Sequence, residues 1–173
     1  WAWEYDSLKH FAKHYKDDSL LPEALHKKMM DARNVGSGIF TLQQIFYGIL
    51  DMTYHDQYDP EKDDRTTTDV VKELQNKITP FEFLEGTHFE AGFGHLYGYA
   101  AGYYGYLWAK VYAEDMFSVF SRDGVLDQSV GLSLKNKVLE KGSSLEELDI
   151  ASNFLGREVD YAAFLNSIGL NNL

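Results

Sequence analysis

The sequence predicts an all-α fold, and three observations carry that expectation. Apolar residues recur at helical spacings along most of the chain. Helix-start signals stand ahead of these runs at Pro22, Thr41-Leu-Gln-Gln44 and Ser144-Leu-Glu-Glu147. No two segments alternate apolar with polar residues as a hairpin would. With 173 residues, 45% of them hydrophobic and 15% aromatic, the chain is long enough for a real core and too apolar to stay disordered.

Taken in order, Glu4 to Tyr15 is the first predicted helix, with Leu8, Phe11 and Tyr15 at i, i+3 and i+7. His10 and His14 lie four apart on it. Phe11 follows His10, so the general-base Glu of H-E-x-x-H is missing, and the pair reads as a solvated face. Pro22 suits the first turn of a helix reaching Ala32, and Gly36 and Gly38 break the chain after it. Thr41 to Gln44 matches a capping box and opens a third helix through Ile45, Phe46, Ile49 and Met52. Charge then dominates from Asp51 to Asp69, where 55–68 is expected to be a surface loop. The Gly and terminal Glu of a calcium loop are absent from it. Asp69 to Lys77 is a short helix stopped at Thr79-Pro80. Asp123-Gly124 turns the chain later on, and helices follow over Ser129–Glu140, from Ser144 through Phe154, and over Asp160–Ile168. Glycines at 142, 156 and 169 close them.

The stretch Glu85 to Phe120 organises the rest. Five of the twelve tyrosines lie between Tyr97 and Tyr106, among glycines at 92, 94, 98, 102 and 105. A helix beginning near Gly98 would place Tyr99, Tyr103 and Tyr106 on one face, just after a loop carrying His95. Phenols are neutral donors at physiological pH, and a row of them can bind backbone carbonyls or a developing oxyanion. The glycines would let the loop lie close against a bound chain. An aromatic stripe at helical spacing is also what a packed core looks like, and pattern alone leaves both readings open.

Several classes are excluded or disfavoured. A formal charge of −11 argues against nucleic acid. The absence of cysteine removes disulfides, thiolate chemistry and Cys-ligated zinc, so His88-x-Glu90 is no deaminase signature. His88, Glu90 and His95 can be drawn as a metal site, but their spacing matches no helix face. Ala91 to Ala109 carries no Lys, Arg, Asp or Glu, yet its centre is tyrosine and glycine where a membrane span needs aliphatic side chains. No leader is visible, and a cytoplasmic location is expected, with a mitochondrial one as the alternative. The opening Trp1-Ala-Trp3-Glu4 starts inside an apolar pattern and reads as the interior of a longer protein.

Phe93-Gly-His-Leu-Tyr-Gly-Tyr-Ala-Ala-Gly-Tyr-Tyr-Gly-Tyr-Leu-Trp108, with Val111-Tyr-Ala-Glu-Asp-Met-Phe117 and Phe154-Leu-Gly-Arg157, resembles the C-terminal part of the thimet oligopeptidase family of zinc metallopeptidases. Trp1 to Glu4 and Asn34 to Gln44 extend the likeness over essentially the whole chain. The resemblance implies a zincin-like, nearly all-helical catalytic domain of which 1–173 is one helical piece. In that family a channel floor carries H-E-x-x-H and a third Glu ligand, and none of these is in this sequence.

What the likeness leaves here is the substrate-binding wall. It implies oxyanion donors at Tyr99 and Tyr106, and substrate contacts from His95, Tyr103, Gly94 and Gly98. Glycines at 86, 92, 94 and 98 leave few side chains to anchor 86–98, which is expected to be a mobile, glycine-rich substrate-side loop. Zinc would belong to the full-length protein and not to this stretch, which is expected to be inactive alone. The partners implied are short peptides and the remainder of the chain's own catalytic domain, with neither nucleic acid nor membrane. The rival reading is a non-catalytic helical module that binds peptides in the same aromatic groove.

Overall fold

The computed structural model describes residues 1–170, whose regular structure is helical. No strand occurs among them, only an isolated bridge between Lys13 and Leu20. The all-α expectation holds. The chain forms two compact units, Gly36–Ala109 and Trp1–Val35 with the chain from Lys110 on.

In the unit Gly36–Ala109, α3 runs over Ser37–Met52 and extends as a π-helical turn, Thr53–Gln57. It begins before the capping-box pattern at Thr41. Gly36, at φ 80°, takes the left-handed position just before the first turn, where a side chain would be strained, so Thr41 is an interior helical residue. The helix also carries Asp51 inward, although the charge pattern assigned that residue to a surface connection. Helix α4, Thr67–Ile78, starts two residues earlier than expected. Thr66 accepts from the Asp69 amide and Asp69 accepts from the Thr66 amide, a reciprocal cap that satisfies two donors left over by the first turn. Helix α4 packs on α3. Leu50, Val70 and Val71 are fully buried there, and burial of each is worth about 1.5–3 kcal/mol. Two one-turn helices follow, α5 (Phe89–Gly92) and α6 (His95–Gly98). Residues 99–104 are then non-helical, before α7 (Gly105–Asp123) begins.

In the other unit, α1 covers only Tyr5–Leu8 rather than reaching Tyr15. The chain turns back there: Lys13 bridges to Leu20, and Asp18 occupies the left-handed region at φ 54°. His10 and His14 therefore share no helix face, and His14 Nδ1 lies 3.1 Å from Asp17 instead. Helix α2 is Glu23–Ala32, with Pro22 in the extended position before it. Beyond α7, Asp127 caps α8 (Gln128–Leu134) by accepting from the Ser129 and Val130 amides, and a π-helical turn continues it over Lys135–Leu139. Helix α9, Glu147–Leu155, ends at Gly156 with φ 71°. Ser144 gives it no cap. Glu146 stands at the start without a side-chain bond to the first turn, so the second capping-box expectation fails. Helix α10 is Ala162–Ser167. Phe120, Val130 and Phe154 form the core of this unit. Trp1 docks edge-on against Phe120 at 4.6 Å between centroids, and its Nε1 donates to Val125 O at 2.9 Å.

Among the described residues no helix is long and apolar enough to cross a membrane. The uncharged window around the tyrosines is instead broken twice, after Gly92 and after Gly98.

Candidate functional site: an aromatic groove

The tyrosine-rich stretch builds its site by a route different from the one its spacing predicts. Tyr99 and Tyr103 do not lie on a helix with Tyr106, because residues 99–104 turn between α6 and α7. The turn needs Ala101 in the left-handed region at φ 55°, a conformation that a side chain resists. Gly102 follows for a steric reason. A Cβ there would lie 2.8 Å from Cε1 of Tyr99, so the Tyr99 ring folds flat over a position that has room only for hydrogen.

The turn brings the aromatic residues together nonetheless. His95 packs edge-on against Tyr103 at 5.0 Å and Tyr106 at 5.7 Å, and Tyr99 lies 6.0 Å from Tyr106. These rings, with Tyr47, Phe89, Gly94 and Gly98, line an open groove of about 750 Å³. Tyr99 and Tyr106 are each about half exposed, whereas Tyr103 is 8% exposed. Two of the three phenols therefore face outward. The third turns inward, donating from its hydroxyl to Gln44 Oε1 at 3.0 Å. Burial, then the neighbouring Tyr47 and Tyr106, push the Tyr103 phenol above its usual range, so it stays a protonated donor.

His95 Nε2 lies 3.1 Å from the Tyr106 hydroxyl. With the ring proton on Nδ1, Tyr106 donates to the imidazole. With the proton on Nε2, the imidazole donates and the Tyr106 O–H is released toward the groove. Gly94 and Gly98 border the open side, where a Cβ at either would meet nothing within 4 Å. Tyr97 and Tyr104 do not line the groove.

A buried acid that sequence reasoning missed underlies this arrangement. Asp51 on α3 is 0% exposed. Its Oδ1 accepts from the Ala101 amide at 3.0 Å and its Oδ2 from the Tyr103 amide at 2.9 Å. His55 Nδ1 adds a contact to the Asp51 carbonyl at 2.8 Å and to Oδ1 at 3.1 Å. The available signal was position: Asp51 stands one turn after Tyr47 and directly after Leu50, on the part of α3 that the apolar pattern turns inward.

No group of three or more His, Asp or Glu among the described residues could hold a metal ion. His88 and Glu90 both bond to the Thr68 hydroxyl, while His95 meets Tyr106, so these three do not converge. The described residues do not fit a zinc ion.

The sequence model described as Peptidase family M3 matches residues 1–170. The chain is 33% identical over 172 residues to oligopeptidase A of Escherichia coli (strain K12), covering 98% of this chain and 25% of that protein. It is 33% identical over 177 residues to saccharolysin of Saccharomyces cerevisiae, covering 99% and 24%. It is 31% identical over 160 residues to a mitochondrial intermediate peptidase of Arabidopsis thaliana, covering 92% and 22%. The chain thus spans about a quarter of the length of the curated relatives it matches. On this match, which extends over all the residues whose folding has just been described, the chain belongs to peptidase family M3.

Proposed function

We propose that this chain is the substrate-contacting wall of a zinc-dependent oligopeptidase acting on short peptides, with the metal ligands and the water-activating base supplied by sequence outside it. The observation that carries the reading is the convergence of His95, Tyr99 and Tyr106 on one open groove. Tyr99 and Tyr106 are the half-exposed donors that meet the oxyanion of the tetrahedral intermediate. His95 sets the direction of the Tyr106 O–H through the 3.1 Å contact. Tyr103 contributes a ring face to the bound peptide, its hydroxyl being committed to Gln44. Gly94 and Gly98, just before α6 and at its end in the glycine-rich segment 86–98, admit the peptide backbone at close range. On this reading the 173-residue chain alone neither binds zinc tightly nor hydrolyses peptides, and the full-length protein works in the cytoplasm or in mitochondria.

Tyr99→Phe and Tyr106→Phe in the full-length protein test it. Each keeps the ring and deletes one donor, and loss of one oxyanion donor lowers kcat by about 10²–10³. The expected result is that fall with little change in KM and an unchanged melting temperature. Tyr104→Phe, outside the groove, should leave turnover alone. Unchanged kcat in both groove variants would instead leave a peptide-binding wall without an oxyanion role.

A further inference from the structure

The groove depends on a non-helical segment whose own backbone bonding is a turn, from Gly102 N to Tyr99 O at 3.1 Å. Residues 99–104 have no helical hydrogen-bond ladder, include a non-glycine residue at φ 55°, and carry Tyr99 and Tyr103 into the site. A strained turn of this kind persists only where its surroundings over-determine it. Asp51 is the group that does so. It is fully buried, it lies fifty residues away in sequence, and both carboxylate oxygens end on backbone amides of this turn, at 3.0 Å to Ala101 and 2.9 Å to Tyr103. The residue whose backbone is strained and the residue whose ring supports His95 are thus the two held. Backbone amides bonded to an ionised carboxylate form stronger hydrogen bonds than neutral pairs do. A buried carboxylate is in turn costly unless it is satisfied, so neither partner is easily released. His55, against the same carboxylate from the π-helical turn that ends α3, closes the cluster on its other side.

We propose that Asp51 is a positioning residue for the groove. By holding the Ala101 and Tyr103 amides it sets where the Tyr99 ring lies over Gly102 and where Tyr103 backs His95, and so fixes the hydroxyls of Tyr99 and Tyr106 relative to each other. The proposal rests on the reading of the groove given above, in which those hydroxyls act on substrate.

The test uses the full-length protein and two readouts. Amide hydrogen exchange in the unsubstituted protein should show Ala101 and Tyr103 protected well beyond Tyr97 and Gly98, although they lie outside any helix. Exchange as fast as at those neighbours would overturn the proposal, and this arm needs no variant to fold. In Asp51→Asn one of the two amides faces an NH₂ group instead of an acceptor. Exchange at Ala101 or Tyr103 should then rise by about tenfold or more, with α7 unchanged. Peptide turnover, measured well below the melting temperature, should fall by about 10–100-fold in kcat with KM within twofold, the signature of misplaced rather than missing groups. A variant that loses melting temperature and amide protection but keeps kcat would show Asp51 to be a stability element only, and would overturn the proposal. Tyr99→Phe and Tyr106→Phe separate this from the underlying reading. If they retain turnover while Asp51→Asn loses it, positioning stands and the oxyanion role falls. If all three retain turnover, both fall.

Discussion

Arg157 grips Asp115 with both terminal nitrogens, at 2.8 Å to Oδ2 and 2.5 Å to Oδ1, and the Asp160 amide adds a third bond at 2.8 Å. The pair joins two of the sequence motifs that carry the family likeness, Ala113-Glu-Asp-Met116 on α7 and Phe154-Leu-Gly-Arg157 at the end of α9. Gly156 makes the connection possible. Its left-handed conformation ends α9 one residue before Arg157 and turns the guanidinium toward α7. The two partners are not equally placed, since the Asp115 side chain is 1% exposed and that of Arg157 is 47% exposed.

That asymmetry ranks two substitutions. Arg157→Met leaves the buried Asp115 carboxylate with the Asp160 amide, and because Arg157 is half exposed the cost should fall below the ~3–5 kcal/mol typical of a fully buried pair. Asp115→Asn leaves behind a guanidinium that water can reach, so it should cost less. Urea unfolding of the full-length protein checks the order, and a less stable Asp115→Asn would mean that the carboxylate has other compensation.

Acid should weaken the same contact. Burial raises the Asp115 carboxyl, but the bonds from Arg157 and the Asp160 amide outweigh it, and its folded value lies below the ordinary 3.8. A carboxyl lowered on folding contributes stability that is fully present above 3.8 and lost as pH falls through the folded value. Stability followed by urea unfolding from neutral pH downward should therefore fall less with acid in Arg157→Met, where the lowering is removed, than in the parent protein. An equal loss in both would show that other groups dominate.

Gly102→Ala probes the seat of Tyr99. A Cβ 2.8 Å from the ring forces the ring to swing, and because Tyr99 is half exposed the swing costs little stability. Turnover should fall through displacement of the hydroxyl. In a Tyr99→Phe background the same substitution should then cost little more, a non-additivity that a double-mutant cycle reads directly. Fully additive losses would place the effect of Gly102 elsewhere.

Gly94→Ala and Gly98→Ala make the opposite test. Neither Cβ meets anything within 4 Å, so the free protein should tolerate both within about 0.5 kcal/mol. If a peptide backbone passes over these positions, KM should rise, and most for substrates long enough to reach them. An unchanged KM across a peptide series would show the room at Gly94 and Gly98 to be unused.

The helical character of the chain was legible because amphipathic spacing and breakers are local signals, as at α2 and at the end of α9. What failed had non-local causes. Glu4 to Tyr15 has helical spacing, but the pairing of Lys13 with Leu20 turns the chain back after Leu8. Thr41 has a capping partner in sequence, but Gly36 starts the helix first. The cluster of His95 with Tyr99, Tyr103 and Tyr106 was foreseen on a wrong premise, a continuous helical face. Chain turns at Ala101 and Gly102, held by Asp51, bring the same rings together. Asp51 itself was hidden because an acid beside a charged stretch reads as surface, and only the fold shows which backbone amides wait for it.

Tyr103 gives the sharpest contrast within the row of phenols. Its hydroxyl donates to Gln44 Oε1 at 3.0 Å, away from the outward-facing pair, while its ring stays against His95 at 5.0 Å. Tyr103→Phe keeps that ring and leaves one acceptor on Gln44 without its partner. A net cost of about 1 kcal/mol is the usual size for one such bond. The melting temperature should therefore drop while kcat and KM stay within twofold, the reverse of the pattern expected for Tyr99→Phe and Tyr106→Phe. Gln44→Ala should lose a similar amount, and combining the two should cost less than their sum, because both remove the same bond. If Tyr103→Phe instead cut kcat as deeply as Tyr106→Phe at unchanged stability, the hydroxyl would have to leave Gln44 when a peptide binds. All three phenols would then act on substrate from one groove.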